Sequence, residues 1–173
     1  MTKRVTVVPY NEQWKTDFEK IRQHLLPAVR EIIVGIEHVG STSVAGLAAK
    51  PIIDIDVVIK DYSVFDAEVE KLAFLGYIYE GNLGIKDREA FDYQGDTDLP
   101  KHHLYVCPAF SAELKRHLAF RDYLRTHPEA VEKYGKVKQD GAKQFPDSID
   151  DYINFKSPCI EEIYNAMQKE ENP

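Results

Sequence analysis

Three observations predict an α+β fold. Apolar residues recur at three- and four-residue steps near the start of the chain, a run rich in isoleucine and valine fills residues 51–59, and the pattern after Pro108 is helical. The predicted order is a helix, a mixed sheet with one inserted helix, and then helices. With 173 residues, 43% of them hydrophobic, the chain is long enough and apolar enough for one domain with a buried core, spanning 1–173.

The first helix is expected from about Glu12 to Val34 with Asn11 as its cap. Trp14, Phe18, Ile21, Leu25, Val29 and Ile32 share a face, and Pro27 should kink or split it. Ile36–Val39, closed by Gly40, reads as a brief strand, and Pro51–Ile59 as the clearest strand. Ser63 is expected to cap a helix with Phe65, Val69, Leu72 and Leu75 on one face, stopped by Gly76. Tyr77–Tyr79, Ala90–Tyr93 and His103–Val106 read as short strands between turn signals. Ser111 caps a helix to about Thr126, and Pro128 opens another to about Ala142. A last helix is expected near Ser157-Pro158, with Ile160, Ile163, Tyr164 and Met167 inward and a frayed tail from Lys169.

The 22 Lys and Arg against 29 Asp and Glu give a net charge of −7. That argues against a general nucleic-acid coat, which needs clustered cations, and leaves room for a small anion at a local basic site. Cys107 and Cys159 form no CxxC or zinc spacing and read as packed side chains. No stretch reaches bilayer length and no signal peptide is visible, so no membrane role and a cytoplasmic location are the expectations.

Chemistry concentrates in two neighbouring features. In a strand, residues two apart share a face, so Asp54 and Asp56 project together while Ile53, Ile55 and Val57 project oppositely. Two like charges on a partly buried face are poorly solvated, and a divalent cation, Mg²⁺ or Mn²⁺, removes that cost. An edge strand with both aspartates in water is the bland alternative, which the apolar flanks disfavour. About a dozen residues earlier, Gly40-Ser41-Thr42-Ser43 offers a glycine that lets a ligand approach, and hydroxyls; a short helix beginning near Ser43 would turn free N–H groups toward a phosphate. A plain helix cap is the alternative. The Walker A spacing is absent.

A phosphate-holding turn followed by a strand Asp-x-Asp resembles the core of a polymerase-beta-type nucleotidyltransferase. The stretch from His38 to Asp56 resembles the GrpB family more specifically. So do Val8-Pro9-Tyr10 with Trp14, His103-Leu104-Tyr105-Val106, the run from Phe120 to Arg125, and Tyr152 with Lys156. Ala45 departs from the proline that family often carries before the glycine. The resemblance covers nearly the whole chain and implies a nucleotidyltransferase-like mixed sheet packed with helices. In some relatives the domain is fused to a dephospho-CoA kinase, a link to nucleotide metabolism.

That superfamily uses a third carboxylate on a neighbouring strand. Here the strand His103–Val106 offers histidine instead, and His103 is a candidate ligand or base. Between Glu113 and Lys143 eight Lys and Arg outnumber five acids. Most face solvent on helices; the resemblance singles out Arg121 and Lys138 as phosphate clamps, and Lys50 and Arg88 are further candidates. A counter-ion to Asp54 or Asp56 is the plainer role for Lys50. The expected activity is transfer of a nucleotidyl group from a nucleoside triphosphate to an unidentified acceptor, with Asp54 and Asp56 on the metal and Gly40, Ser41, Thr42 and Ser43 on phosphate. A non-catalytic nucleotide-binding module and a metal-dependent phosphohydrolase or phosphotransferase are the alternatives.

Overall fold

The computed structural model describes residues 4–96 and 98–173. One five-stranded sheet holds β1 (Ile33–Val39), β2 (Ile53–Ile59), β3 (Tyr77–Gly81), β4 (Glu89–Tyr93) and β5 (His102–Pro108) in the order β1-β2-β5-β4-β3. Only β2 and β5 run parallel; the other neighbours are antiparallel. A parallel pair needs a crossover, and helix α2 (Phe65–Phe74) with β3 and β4 supplies it. β2 is therefore internal, which removes the edge-strand alternative for its aspartates.

The period-two pattern of β2 divides two environments. Ile53, Ile55, Val57 and Ile59 enter the main core with Leu72 of α2 and with Trp14, Ile21, Leu25 and Val29 of helix α1 (Gln13–Val29). Asp54, Asp56 and Val58 face the other way, where Val58 meets Cys107 and Leu114 of helix α3 (Ala112–Thr126). A further core joins α3 to helices α4 (Pro128–Gln144) and α5 (Ile149–Glu171), and it also takes in Val44 and Leu47 from the β1–β2 connection. The Gly-Ser turn thus lies between a sheet core and a helical core, each anchoring one of its flanks. Both cysteines are buried, as expected.

The boundaries differ from expectation in three places. Helix α1 stops at Val29, two residues after Pro27, which does not split it; the β-branched Ile33 and Val34 join the sheet instead. At its start Glu12 holds the cap position, and the expected cap Asn11 accepts the Gln13 N–H at 2.9 Å from one residue earlier. Asp61, and not Ser63, caps the turn entering α2 by accepting the Ser63 N–H. Helix α5 begins at Ile149, capped by the Ser148 hydroxyl, with Asp150 and Asp151 in its first turn. Pro158 lies inside it, Ser157 donates to the Ile153 carbonyl, and the expected tail is helical to Glu171.

Candidate functional site

Gly40 ends β1 with φ +72° and ψ −174°, a conformation that favours glycine. A Cβ there would overlap the Asp54 carboxylate, coming within 3.0 Å of Asp54 Cβ and closer still to Oδ2. Glycine is thus required twice, by the turn and by the carboxylate packed against it. Ser41–Ser43 form a single 3₁₀ turn that starts two residues before the expected helix. Ser43 Oγ donates to the Gly40 carbonyl at 2.5 Å, and Arg125 of α3 donates from Nε and Nη2 to the Ser43 carbonyl at 3.0 and 2.8 Å. Thr42 Oγ1 is 2.9 Å from His38 Nε2. Burial first, then Arg125, pushes His38 down to about 4, so this buried imidazole is neutral at pH 7.

The two aspartates share a face and differ in setting. The Asp54 side chain is 33% exposed, and its Oδ1 lies 2.9 Å from His103 Nδ1. Asp56 is fully buried; its Oδ2 lies 2.7 Å from His117 Nδ1 on α3, and its Oδ1 has no hydrogen-bond partner among the described residues. Burial raises the Asp56 pKa even though His117 works the other way. His117 Nε2 reaches Glu113 Oε1 at 3.1 Å. Burial opposes charge on that ring, but Asp56 and Glu113 outweigh it and raise the His117 pKa. A carboxylate at each nitrogen favours the charged form of the ring.

Register explains which neighbours the aspartates have. Asp54 stands opposite Val39 on β1 and His103 on β5; Asp56 stands opposite Glu37 and Tyr105. Glu37 is bound to Arg121 at 2.7 Å. Among the described residues no three His, Cys, Asp or Glu side chains form a group able to hold a metal ion. The acidic oxygens that would be offered to a single divalent cation here are those of Asp54 and the orphaned Asp56 Oδ1.

Asp54 lines two cavities. The first, about 120 Å³, is formed by Ser41, Thr42, His103 and Tyr152 with three lysines, Lys50, Lys138 and Lys156. The ammonium groups of Lys50 and Lys156 each lie 4.9 Å from the Tyr152 ring centroid, and Lys138 lies 4.7 Å from that of Tyr134. Among the described residues none of the three has an ion-pair partner. Lys138 is only 3% exposed. Burial first, then Lys156, lowers its pKa to about 7, with Asp54 acting the other way. Burial also lowers Lys50 and Lys156. Gathering unpaired cations in one cavity is unfavourable unless an anion joins them.

The second cavity, about 180 Å³, is lined by Val39, Gly40, Asp54, Arg88, Tyr105 and His117. The Arg88 guanidinium lies 4.3 Å over the Tyr105 ring.

Of the residues singled out from sequence, Ser41, Thr42, Lys50, Asp54, His103 and Lys138 meet in the lysine cavity. Gly40 and Arg88 line the other. Ser43 is buried beneath the turn, and Asp56 sits behind Asp54 against His117. Arg121 lies apart, tied to Glu37, to Asp122 and to the His38 carbonyl. The lysine cavity also contains Lys156 and Tyr152, to which sequence reasoning gave no role. Their four-residue spacing puts them on one helix face, but the helix was expected to start after them. His117, Glu113 and Arg125 were likewise missed, since only the fold brings α3 under the β2 aspartates and the turn.

The model of the family described as GrpB protein matches residues 4–166. The chain belongs to the GrpB family. It is 35% identical over 158 residues to UPF0157 protein YqkA of Bacillus subtilis, which covers 91% of this chain and 46% of that protein, so the chain spans about half of that relative's length. It is 32% identical over 168 residues to Glutamate-rich protein GrpB of Alkalihalophilus pseudofirmus, covering 94% and 95% of the two. The crystal structure of conserved protein GrpB from Enterococcus faecalis matches with a TM-score of 0.83 and 35% identity, over 96% of this chain and 99% of that one. The Cid1 poly(U) polymerase bound to MgATP matches with a TM-score of 0.53 and 11% identity, over 77% of this chain and 45% of that one. At that identity the likeness is one of fold, and it is the polymerase-beta-type mixed sheet with helices. Among the described residues no helix is long and apolar enough to cross a membrane.

Proposed function

We propose that this GrpB chain binds the triphosphate of a nucleoside triphosphate in the lysine cavity and passes the nucleotidyl group to a hydroxyl acceptor. The observation that carries this reading is the set Lys50, Lys138 and Lys156, gathered beside Asp54 with no ion-pair partner for any of them among the described residues. A polyphosphate brings several negative oxygens at once and matches three separate ammonium groups. Asp54 and Asp56 would hold Mg²⁺ or Mn²⁺, which supplies charge neutralisation at the transferred phosphoryl group. His103 orients the Asp54 carboxylate through Nδ1, and Arg125 and His38 hold the turn that presents Ser41 and Thr42. His117 already occupies one oxygen of Asp56, which suits a site for one cation rather than two. In transfer, the acceptor hydroxyl gives up its proton to water as its oxygen bonds to the α-phosphorus and the bond to pyrophosphate breaks, and the lysines receive the charge that builds on the leaving group.

A second reading is a nucleotide-binding module without transfer. It is favoured by His103 and Tyr105 on β5, beside aspartates that among the described residues have no third carboxylate to share a metal. A panel of four ribonucleoside triphosphates with Mg²⁺ or Mn²⁺, read by thermal shift and then by mass spectrometry of products, separates these. The wild type is expected to gain stability and the Asp54→Asn/Asp56→Asn double variant to gain none. Equal shifts in both would sink the metal–nucleotide reading. Stabilisation without any product would favour the binding module, and phosphate release without a modified acceptor would favour hydrolysis.

A further inference from the structure

We infer that the second cavity is an acceptor subsite, and that the acceptor carries an anionic group, carboxylate or phosphate, near the hydroxyl it offers. The acceptor role rests on the proposed transfer; the anion site stands on Arg88.

Arg88 has no ion-pair partner among the described residues, and its Nε is buried with no hydrogen-bond partner. Its neighbours in sequence are both acids, yet neither serves it. The Tyr62 hydroxyl donates to Asp87 Oδ1 at 3.1 Å and sits 2.9 Å from Glu89 Oε1, and the Tyr79 hydroxyl donates to Glu89 Oε2 at 2.6 Å. Two tyrosines therefore hold the flanking carboxylates and leave the guanidinium stacked on Tyr105, facing the cavity. In the β3–β4 hairpin Asp87, directly before Arg88, has a positive φ of 56°. A stacked guanidinium offers a planar fork suited to carboxylate or phosphate oxygens.

Position assigns the role. The lysine cavity and the Arg88 cavity share Asp54 and no other lining residue. In-line displacement needs the leaving group and the attacking oxygen on different sides of the phosphorus. With pyrophosphate held by the lysines and phosphorus at Asp54, the Arg88 cavity is where the attacking molecule sits. The other polar groups lining it are Asp54, Tyr105 and His117.

The test is an NMR titration of the ¹⁵N-labelled full chain with inorganic phosphate and, separately, with acetate. The Arg88 Nε–H and the Tyr105 amide are expected to shift saturably with at least one anion. Response to acetate identifies a carboxylate-bearing acceptor, and response to phosphate alone a phosphorylated one. Arg88→Met is expected to weaken the Tyr105 response by about tenfold or more, while the Ser41 and Thr42 amides still answer phosphate. No saturable shift at Arg88 or Tyr105 with either anion, or an unchanged Tyr105 response in Arg88→Met, overturns the subsite. Should that variant fail to fold, the Arg88 Nε–H of the wild type decides the matter. Response at Arg88 with none at Ser41 and Thr42 to MgATP would uphold the anion site and strike the proposed triphosphate cavity, so the two failures are told apart.

Discussion

The cations of this molecule fall into two groups that a charge count would treat alike. Arg121 and Arg125, four residues apart on α3, are spoken for: one holds Glu37 and the His38 carbonyl, the other clasps the Ser43 carbonyl with two N–H groups. Lys50, Lys138 and Lys156 have no such partner among the described residues and lie around one cavity at Asp54. The arginines are held by the protein and shape the Gly-Ser turn. The lysines are placed at a desolvation cost that Asp54 offsets only in part. A cation's partner, more than its identity or its neighbours in sequence, separates scaffold from site.

Substitutions should break this symmetry in opposite directions. The largest effect is expected at the lysines and at Asp54. Lys138→Met and Lys156→Met each remove a charge-assisted contact, about 1.5–3 kcal/mol of triphosphate affinity, or roughly tenfold to a hundredfold. Without ligand, Lys138→Met should unfold at the same temperature or higher, because a buried unpaired charge is gone; a lower melting temperature would move Lys138 into the scaffold group.

Next comes Gly40→Ala. The positive φ and the overlap with Asp54 should cost about 1–3 kcal/mol, read by denaturant unfolding, and should displace the carboxylate. Unchanged stability would mean the turn is looser than described. Arg125→Met is expected to lose about 1–2 kcal/mol of stability through the freed Ser43 carbonyl, with affinity falling only as far as the turn relaxes. A large affinity loss at full stability would make Arg125 a ligand contact instead.

The smallest effect is one of pH. Lys138 has a folded pKa near 7, below its ordinary 10.5. Below about 7 it is charged in both the folded and unfolded states; between about 7 and 10.5 the unfolded chain keeps the proton that the folded chain has released. The stability of the ligand-free protein from this group therefore rises with pH across that window. A bound triphosphate favours the charged lysine, so binding should take up protons at pH 7–8 and weaken by a few fold as pH climbs to 9, measured calorimetrically in buffers of differing ionisation heat. Proton release on binding would contradict the assignment.

What the sequence disclosed follows from local rules. The alternation of Ile53, Ile55 and Val57 with Asp54 and Asp56 is a property of any strand, so both the core face and the chemical face were legible. Gly40 announced its turn, and the Ser111 hydroxyl does accept from Leu114 N–H at the start of α3. The misses have physical causes too. Pro158 reads as a helix start because proline fits the first turn, yet α5 absorbs it eight residues after Asp150, and that displaced Lys156 and Tyr152 into an imagined loop. His117 and Asp56 lie 61 residues apart, a distance only the sheet and α3 close. Arg121 and Arg125 carry equal charge on one helix, and nothing local says that each is already partnered.

The central claim is best tested with inorganic triphosphate and Mg²⁺, which carry no base or sugar. Calorimetric affinity and ligand-free melting temperature would be measured for Lys138→Met and Arg121→Met beside the wild type. The account predicts that Lys138→Met loses about tenfold or more in affinity and keeps its melting temperature, while Arg121→Met keeps its affinity and melts lower. Wild-type affinity in Lys138→Met, or the larger affinity loss in Arg121→Met, would contradict it.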